Sequence, residues 1–590
     1  MTHESRFSRV ISCARQEFAG LADKYADRLA IALVTAVIAG AIFRALLIPG
    51  HFSLWAYGDA QMYNAGVHFA NEGYVAHYFL PEINPGNPHG LIPNNGPNGR
   101  YSHYPALHAI ANGLLISAAY QLNVQDDVLI KQGIQVFYIL CVAAGIAAYF
   151  AALNRLYGRS IAAIFSIFLA LSPLVAGYSD SLCDQPFNIF LLGIFFYVYV
   201  AHWDRADQNR RDFSPLIALV AFLVSRNSIE PIVVVLGFGL LYGYCMNLAN
   251  GRSLYSAARH YLTSIALPIS VGLAIHFYQS YLDFGNFKDF YDHWMNLHDA
   301  KFDFSNVSIS RSSLFAKYLV GIQGVATFSA LVLFLAVCLI SLLIASRRSV
   351  DSINRAVVFR KIGFAFSFAA GFVAFPLLFP QQATAMIGYS AYFVYLPTFL
   401  IGVVLLMDRG AFPPPLFLRS QGESRALWIV DKLRPLGSTI WIIYFAVTVS
   451  AKGVSVLLLP QDVTNLEKRH AWGFSLARPE PLAIAARSDV RQAVREATRP
   501  TDILVFPASE SGASAREVDP LIEFYLQRHG ITARNDADLK LVCQVLESDR
   551  ARLAGSFKKY VKPNLYLLPA LSAGMNGEKI TAQLRKYDCD

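Results

Sequence analysis

Residues 29–48 read LAIALVTAVIAGAIFRALLI, an apolar run interrupted by one charge, Arg44. At about 1.5 Å per residue a helix of this length crosses the roughly 30 Å hydrocarbon core of a bilayer. The run is too long for the apolar region of a signal peptide, and no small-residue cleavage pattern follows it, so it reads as a retained span. Ten more runs share its character, at roughly 128–150, 160–178, 186–202, 213–226, 231–248, 262–278, 317–345, 361–379, 389–407 and 437–459. The chain has 590 residues, 55% of them hydrophobic and 13% aromatic, with a mean hydropathy of +0.38. This composition excludes an ordinary soluble protein and predicts a polytopic α-helical membrane protein of about eleven transmembrane helices.

The distribution of charge fixes the expected topology. The net charge is +9, which in a soluble protein would suggest nucleic acid. Here the excess falls in alternate connections. With the N-terminus inside, 22 Lys and Arg lie on the inner side, against five before the last span on the other: Arg100, Arg226, Lys288, Lys301 and Arg311. Cytoplasmic loops carry this bias, so the expected partner is the lipid bilayer and no nucleic acid. A crossing by Pro105–Tyr120 would reverse the bias, so this segment is expected to lie at the outer surface as an interfacial helix. The short run 213–226 pairs with 231–248 as a hairpin, and its loss with its neighbour would leave the topology unchanged.

The expected layout is a membrane domain at 1–460, with a long first outer loop at 49–127, and a small C-terminal α/β domain at 461–590 on the outer side. In the latter, DVRQAVREATRP and DPLIEFYLQRHG pattern as helices and TDILVFPAS and NLYLLPAL as strands. Cys543 and Cys589 lie there and could pair in an oxidising compartment, with Cys183 a third candidate. No metal-type Cys/His spacing or phosphate-binding glycine loop stands out, and neither cofactor nor metal is expected.

Polar residues gather in the outer loops. The first contains YGDAQMYNAGVHFANEGY (57–74) and carries Asp59, Tyr63, His68, Glu72, His77, Glu82, His89, Arg100, His103, Tyr104 and His108. Loops of this length are functional or disordered, and its aromatic content argues against disorder. The second loop, GYSDSLCDQP, brings Asp180 and Asp184; the third, 279–316, brings Lys288, His293, Trp294, His298, Lys301 and Arg311; the fourth brings Gln381, Gln382 and Tyr389.

One ordered set of these residues resembles a family. Arg44 near the end of the first span, then a proline, Gly58-Asp59-Ala60 with Tyr63, and Tyr101, His103-Tyr104-Pro105 before an apolar helix are similar to the GT-C glycosyltransferases. The protein O-mannosyltransferase and lipid A aminoarabinose transferase group is the nearest pattern, and Asp184-Gln185-Pro186 matches its second outer loop. The chain departs from that pattern at Ala60, where the family often has Glu, and at Tyr104-Pro105-Ala106, where it often has Pro-Pro after the histidine.

The resemblance implies an inverting transferase that moves a sugar from a polyprenyl-phosphate carrier to a glycolipid, glycan or protein acceptor. Transfer would take place on the periplasmic face of a bacterial inner membrane. An acceptor hydroxyl needs a base, and Asp59, just past a rigid span, is the expected one. A phosphate leaving group needs cations, for which Arg100, Arg226, Lys288, Lys301 and Arg311 are the outer candidates. Asp180 and Asp184 are candidates for orienting sugar hydroxyls, Tyr63 and Tyr104 for stacking on sugar faces, and His103 for acid-base work. Plainer readings stand beside these: a turn-forming Asp59, helix-capping Asp180 and Asp184, a snorkelling Arg226 and solubilising lysines. A lipid-linked glycan ligase or polymerase is the alternative enzyme, and a transporter or flippase the alternative class. Transporters expect pseudo-symmetric halves and midplane charges, whereas polar residues here collect on one side.

Overall fold

The computed structural model describes residues 28–48, 51–53, 56–82, 100, 102, 105–205, 212–251, 253–302, 321–346, 352–379, 392–408, 425–458, 484–499, 502–507, 520–533, 535–554, 564–568, 570–572 and 574–589. The chain opens with α1 (Arg28–Leu47), α2 (Ala56–Glu72), α3 (Leu107–Gln121), α4 (Asp127–Tyr157), α5 (Arg159–Ala170) and α6 (Pro173–Tyr178). It continues with α7 (Gln185–Arg205), α8 (Ser214–Ser225), α9 (Ile229–Ala249), α10 (Leu254–Phe284) and α11 (Phe287–Phe302). The last helices of the apolar part are α12 (Gly321–Ala345), α13 (Ser352–Leu378), α14 (Tyr392–Met407) and α15 (Leu433–Ser455).

Among the described residues eight helices are long and apolar enough to cross a membrane: α1, α4, α7, α9, α10, α12, α13 and α15. The chain is a multi-pass membrane protein. Three of the eleven expected spans coincide with shorter apolar helices, α5, α8 and α14. The 12 residues of α5 reach only about 18 Å by themselves, so among the described residues length alone picks out eight of the eleven expected spans. The expected span at 160–178 breaks because Pro173 opens a new helix, and the Ser172 side chain caps it by accepting from the Val175 amide.

Helix ends follow local sequence. Asp126 caps α4, accepting from the amides of Val128 and Leu129 at 2.9 and 3.2 Å. At the other end Gly158 adopts φ of 90°, and Gly285 closes α10 at φ of 71°, conformations that disfavour a Cβ. The helix pair α4 and α7 packs backbone to backbone: a Cβ placed on Gly193 would lie 2.5 Å from the Gly145 carbonyl oxygen. Small residues permit such close approach between membrane helices. Beside this contact α7, α9 and α13 share a cluster of Phe196, Phe238, Phe364, Phe368 and Phe372 rings.

Polar pairing occurs at two opposite ends of the bundle. At one end Arg360 pairs with Asp204 at 2.8 Å and Lys361 with Asp408 at 2.7 Å. At the other end the connections after α1, α6, α8 and α10 meet, as the α1–α6 pair Arg44–Asp180, the Asn227–Asp184 bond and the Arg100–Asp283 pair show. Alternate connections thus gather on one face, the arrangement an up-and-down membrane bundle gives.

Beyond α15 the chain forms α16 (Ser488–Ala497), β1 (Ile503–Pro507), α17 (Pro520–Leu526), β2 (His529–Ala533), α18 (Asp536–Ala554), β3 (Leu565–Leu567), α19 (Gly577–Gln583) and β4 (Arg585–Tyr587). The sheet order is β2-β1-β3-β4, with β1 parallel to β2 and β3, and β4 antiparallel to β3. The expected strands are β1 and β3; β2 (HGITA) and β4 (RKY) lack an apolar run that would announce them. Cys543 on α18 and Cys589 beyond β4 form a disulfide with a Cα–Cα distance of 5.6 Å, so the pairing left open by sequence is made. Cys183 is a free, buried thiol.

The disulfide closes a loop of sequence separation 46, for which chain entropy gives a stabilisation of about 4 kcal/mol. Cys589→Ser in the full chain is expected to speed hydrogen exchange in β1 and β3 correspondingly. Unchanged exchange there would mean that the bond adds no stability to the sheet.

Candidate functional site

The site begins where α1 ends. Arg44 donates from Nη2 to the Ala176 carbonyl at 2.9 Å and to Asp180 Oδ2 at 3.1 Å. His51 Nε2 approaches the same oxygen at 2.5 Å, and Lys131 of α4 donates to the His51 carbonyl. All four side chains are buried. Burial alone would raise the Asp180 carboxyl, but Arg44 and then His51 outweigh it and hold the group well below the usual carboxylate range. Burial, helped by Arg44 and Lys131, lowers His51 from its ordinary value despite Asp180.

Asp59 stands in the first turn of α2 and is completely buried. Its Oδ2 accepts from the Ser53 amide at 2.9 Å, and its Oδ1 accepts from the Ser181 hydroxyl at 2.6 Å and the Leu182 amide at 2.9 Å. Burial pushes the carboxyl up to about 6, the three hydrogen bonds opposing, with neighbouring Asp180 adding to the rise. Asp59 therefore ties the first outer loop to the second, and its turn-forming alternative is replaced by this cross-loop role.

A second group lies beside the first. The Asp184 carboxylate accepts from Asn188 at 2.9 Å, and its carbonyl from Asn227 at 3.1 Å. Arg226 donates to the Gly272 carbonyl at 3.0 Å and Gln279 Oε1 at 2.7 Å, while its own carbonyl accepts from the Leu107 amide at 2.9 Å. Burial lowers its guanidinium to about 10. Asp184 and Arg226 are thus joined through Asn227 at the start of α3, and Arg226 is buried rather than snorkelling at a rim.

Arg100 sits elsewhere. It is 1% exposed and pairs through Nη1 with Asp283 at 2.7 Å, with its Nε 3.5 Å from His77 Nδ1. Lys288 is exposed on α11. Arg311, His103 and Tyr104 lie outside the described residues, as does the side chain of Lys301. Tyr63 is buried: its hydroxyl donates to Asp127 Oδ1 at 2.6 Å and its ring meets Phe524 edge-on at 5.2 Å, as Phe52 does at 5.0 Å.

A cavity of about 320 Å³ opens between α2, the α3–α4 turn and α17, with Tyr63, Asn64, His68, Glu72, Asp127 and Arg528 on its walls. The sequence reading missed Arg528, which donates to the Thr498 hydroxyl and carbonyl at 2.8 and 2.7 Å. It also missed a group at the rim, His68, Glu72, His77 and Glu82, whose ligand atoms all lie within 4.8 Å of one another. Only the four-residue spacing of His68 and Glu72 could have announced it. Burial would lower His77, yet Glu82 and Glu72 raise it to about 9.

No known family model and no curated protein matches the chain. Solved structures of the Archaeoglobus fulgidus oligosaccharyltransferase are similar to it. The form tethered with an acceptor peptide is 9% identical with a TM-score of 0.41, covering 92% of this chain and 69% of that chain. AglB in complex with an inhibitory peptide and a dolichol-phosphate is 10% identical with a TM-score of 0.43, again covering 92% and 69%. The complex with Zn and sulfate is 11% identical with a TM-score of 0.37, covering 91% and 67%. That enzyme is a GT-C membrane glycosyltransferase.

The Asp180 pairing yields a direct test. Asp180→Asn leaves Arg44 buried without its charge partner, a change that costs about 3–5 kcal/mol. A fall in thermal unfolding temperature in detergent is expected, with Lys288→Ala unchanged as the surface control. Equal unfolding of Asp180→Asn and wild type would remove this ion pair from the set of interactions that hold the loops together.

Proposed function

We propose that this chain is an integral-membrane, inverting glycosyltransferase of the GT-C type, with Asp59 as base. It moves a sugar from a polyprenyl-phosphate carrier to an acceptor at the outer face of a bacterial inner membrane. The observation that carries the reading is the Ser181–Asp59 contact: a hydroxyl donates at 2.6 Å to a buried carboxylate of pKa about 6, beside Asp180. An acceptor hydroxyl that replaced Ser181 would meet a base poised about one unit below neutral pH, which suits proton removal. A base that deprotonates the acceptor for direct attack on the anomeric carbon, with the carrier phosphate leaving from the opposite face, gives a single displacement with inversion. Asp59 is closed off at rest, and the Ser179–Asp184 segment must move aside for the acceptor to enter.

The similar archaeal enzyme was solved with an acceptor peptide and with a dolichol-phosphate; a lipid-phosphate donor here agrees with Arg44 lying in a span-length apolar helix and pairing with Asp180, next to the Ser181 that bonds Asp59. Arg226, whose side-chain partners are neutral acceptors, is the cation we assign to the leaving phosphate, and the walls of the cavity supply hydroxyl, amide and carboxylate groups of the kind that bind sugars. Neither Arg226 nor Arg100 is free of protein partners, so phosphate binding proceeds by exchange of an existing hydrogen bond. The proposed reaction calls for no organic cofactor.

The test follows loss of sugar from polyprenyl-phosphate-linked donors added to membranes that contain the protein. Wild type is expected to consume one donor, and Asp59→Asn, folded to the same extent, to fall by at least about 100-fold. Ser181→Ala should stay within about tenfold, because water can occupy the vacated position. The working form of Asp59 is the anion, so the rate should drop about tenfold per pH unit below about pH 6 and level off above it. An Asp59→Asn variant as fast as wild type would leave the residue a structural tie only. A wild type inert towards every carrier-linked sugar would move the transporter reading forward.

A further inference from the structure

The last turns of α2 and the segment after it bring four unrelated-looking polar residues together. His68 and Glu72 stand one helical turn apart, with His68 Nδ1 3.0 Å from Glu72 Oε1. The chain leaves α2 at Gly73, with φ of 91°, and then passes through Tyr78 and Phe79, with φ of 52° and 59°. Two consecutive bulky residues in the left-handed region are costly and persist only where the surroundings impose them. The turn they make sets His77 Nε2 3.0 Å from Glu72 Oε2 and His77 Nδ1 2.8 Å from Glu82 Oε2. Glu82 is in turn fixed by a backbone bridge to Arg100, whose guanidinium is engaged by Asp283.

Two imidazoles and two carboxylates make the ligand set of a late first-row divalent ion, whereas magnesium and calcium take oxygen alone. With metal–nitrogen and metal–oxygen bonds near 2.0–2.2 Å, tetrahedral ligands lie about 3.4 Å apart. Each imidazole would bind through one nitrogen, so the His68–Glu72 contact at 3.0 Å, one of the two His77 contacts at 2.8 or 3.0 Å, and the overall limit of 4.8 Å for one ligand atom per residue bracket that spacing. The charge also balances: two carboxylates neutralise a divalent ion in a place where His68, His77 and Glu82 are all buried. His68 and Glu72 are at the same time cavity walls, so the group can be reached from that side.

We propose that His68, Glu72, His77 and Glu82 bind one divalent transition-metal ion of the zinc class at the wall of the cavity. The site is separate from Asp59 and does not depend on the transfer reaction. The competing account is an ion-pair network in which a proton on His77 takes the place of the metal between Glu72 and Glu82.

The experiment uses the full chain in detergent, stripped with a chelator and then offered Zn²⁺ or Co²⁺ alone. Wild type is expected to take up one Zn²⁺ per chain in competition with a chromophoric chelator. With Co²⁺ it should develop the visible absorption of a four-coordinate nitrogen and oxygen site. His68→Ala and His77→Ala should each weaken Zn²⁺ binding by at least about tenfold, while His293→Ala, outside the cluster, should not. If the histidine variants fail to fold, wild type decides by itself: a Co²⁺ spectrum together with a Zn²⁺-dependent rise in unfolding temperature supports the site. Absence of Zn²⁺ uptake by wild type, or binding by both histidine variants equal to wild type, overturns it in favour of the ion-pair network.

Discussion

Asp180, wholly buried, accepts from Arg44 and His51, and this end of the helix bundle is organised around that carboxylate. Arg44 lies in α1, within a run that would otherwise be wholly apolar, and a guanidinium at that depth must find an anion. It finds one in the second outer loop, more than a hundred residues away, which docks that loop on the end of the first span. Once docked, Ser181 and the Leu182 amide lie against Asp59 and fix where α2 begins. The direction of α2 then sets the positions of Tyr63, His68 and Glu72 and the cavity beside them. The two neighbouring acids are held in opposite states: Asp180 is kept ionised by cations, and Asp59, which has neutral donors only, is pushed up to about 6. Divergence of this kind between adjacent carboxylates separates a structural anion from a group able to exchange a proton near neutrality.

The C-terminal segment belongs to this arrangement. Phe524 of α17 wedges between Phe52 and Tyr63, meeting both edge-on, and Lys131 lies 4.2 Å from the centre of the Phe52 ring. Asn64 of α2 donates to Glu523 at 3.4 Å, while the other oxygen of Glu523 accepts from the Gly530 amide. The cavity wall is thereby shared between α2 and a part of the chain more than four hundred residues later. A polar wall and an apolar wedge on the same helix mean that displacement of α17 would open the cavity and expose Phe52 and Tyr63 together.

The membrane helices were legible because lipid demands long apolar runs, and every expected span coincides with a helix or a pair of helices. Span lengths were less legible. The run 160–178 is continuous in hydropathy, yet Ser172-Pro173 divides it, since a capped proline start is a local backbone effect that hydropathy does not register. Within the site, Asp59, Asp180 and Asp184 stood out by residue type and place. Their partners did not: Ser181 was one small polar residue in GYSDSLCDQP, and Arg528 belongs to a helix-to-strand turn that only tertiary packing brings to α2. Arg100 was read as a phosphate cation because few cations lie in the outer loops, but Asp283 at the end of α10 pairs with it at 2.7 Å. The metal-like group escaped because its spacing is irregular, two ligands by helical periodicity and two by an unusual turn.

Charge pairing also ranks the cations for the proposed transfer. Arg44 and Arg100 are each bonded to a buried carboxylate, and a phosphate that displaced either carboxylate would leave that anion buried and unpaired, at a cost of several kcal/mol. Arg226 differs: its two partners are a backbone carbonyl and the Gln279 amide oxygen. Bonds between a cation and neutral acceptors are weaker than charge-paired ones, and the amide released can turn to another partner or to water. Burial has already lowered this guanidinium to about 10, so an arriving anion repays a desolvation cost that the neutral acceptors leave partly unmet. Of these three arginines Arg226 is therefore the one that exchanges its partner for phosphate at the least cost in the proposed reaction, and it does so beside Asn227, which bonds the Asp184 carbonyl.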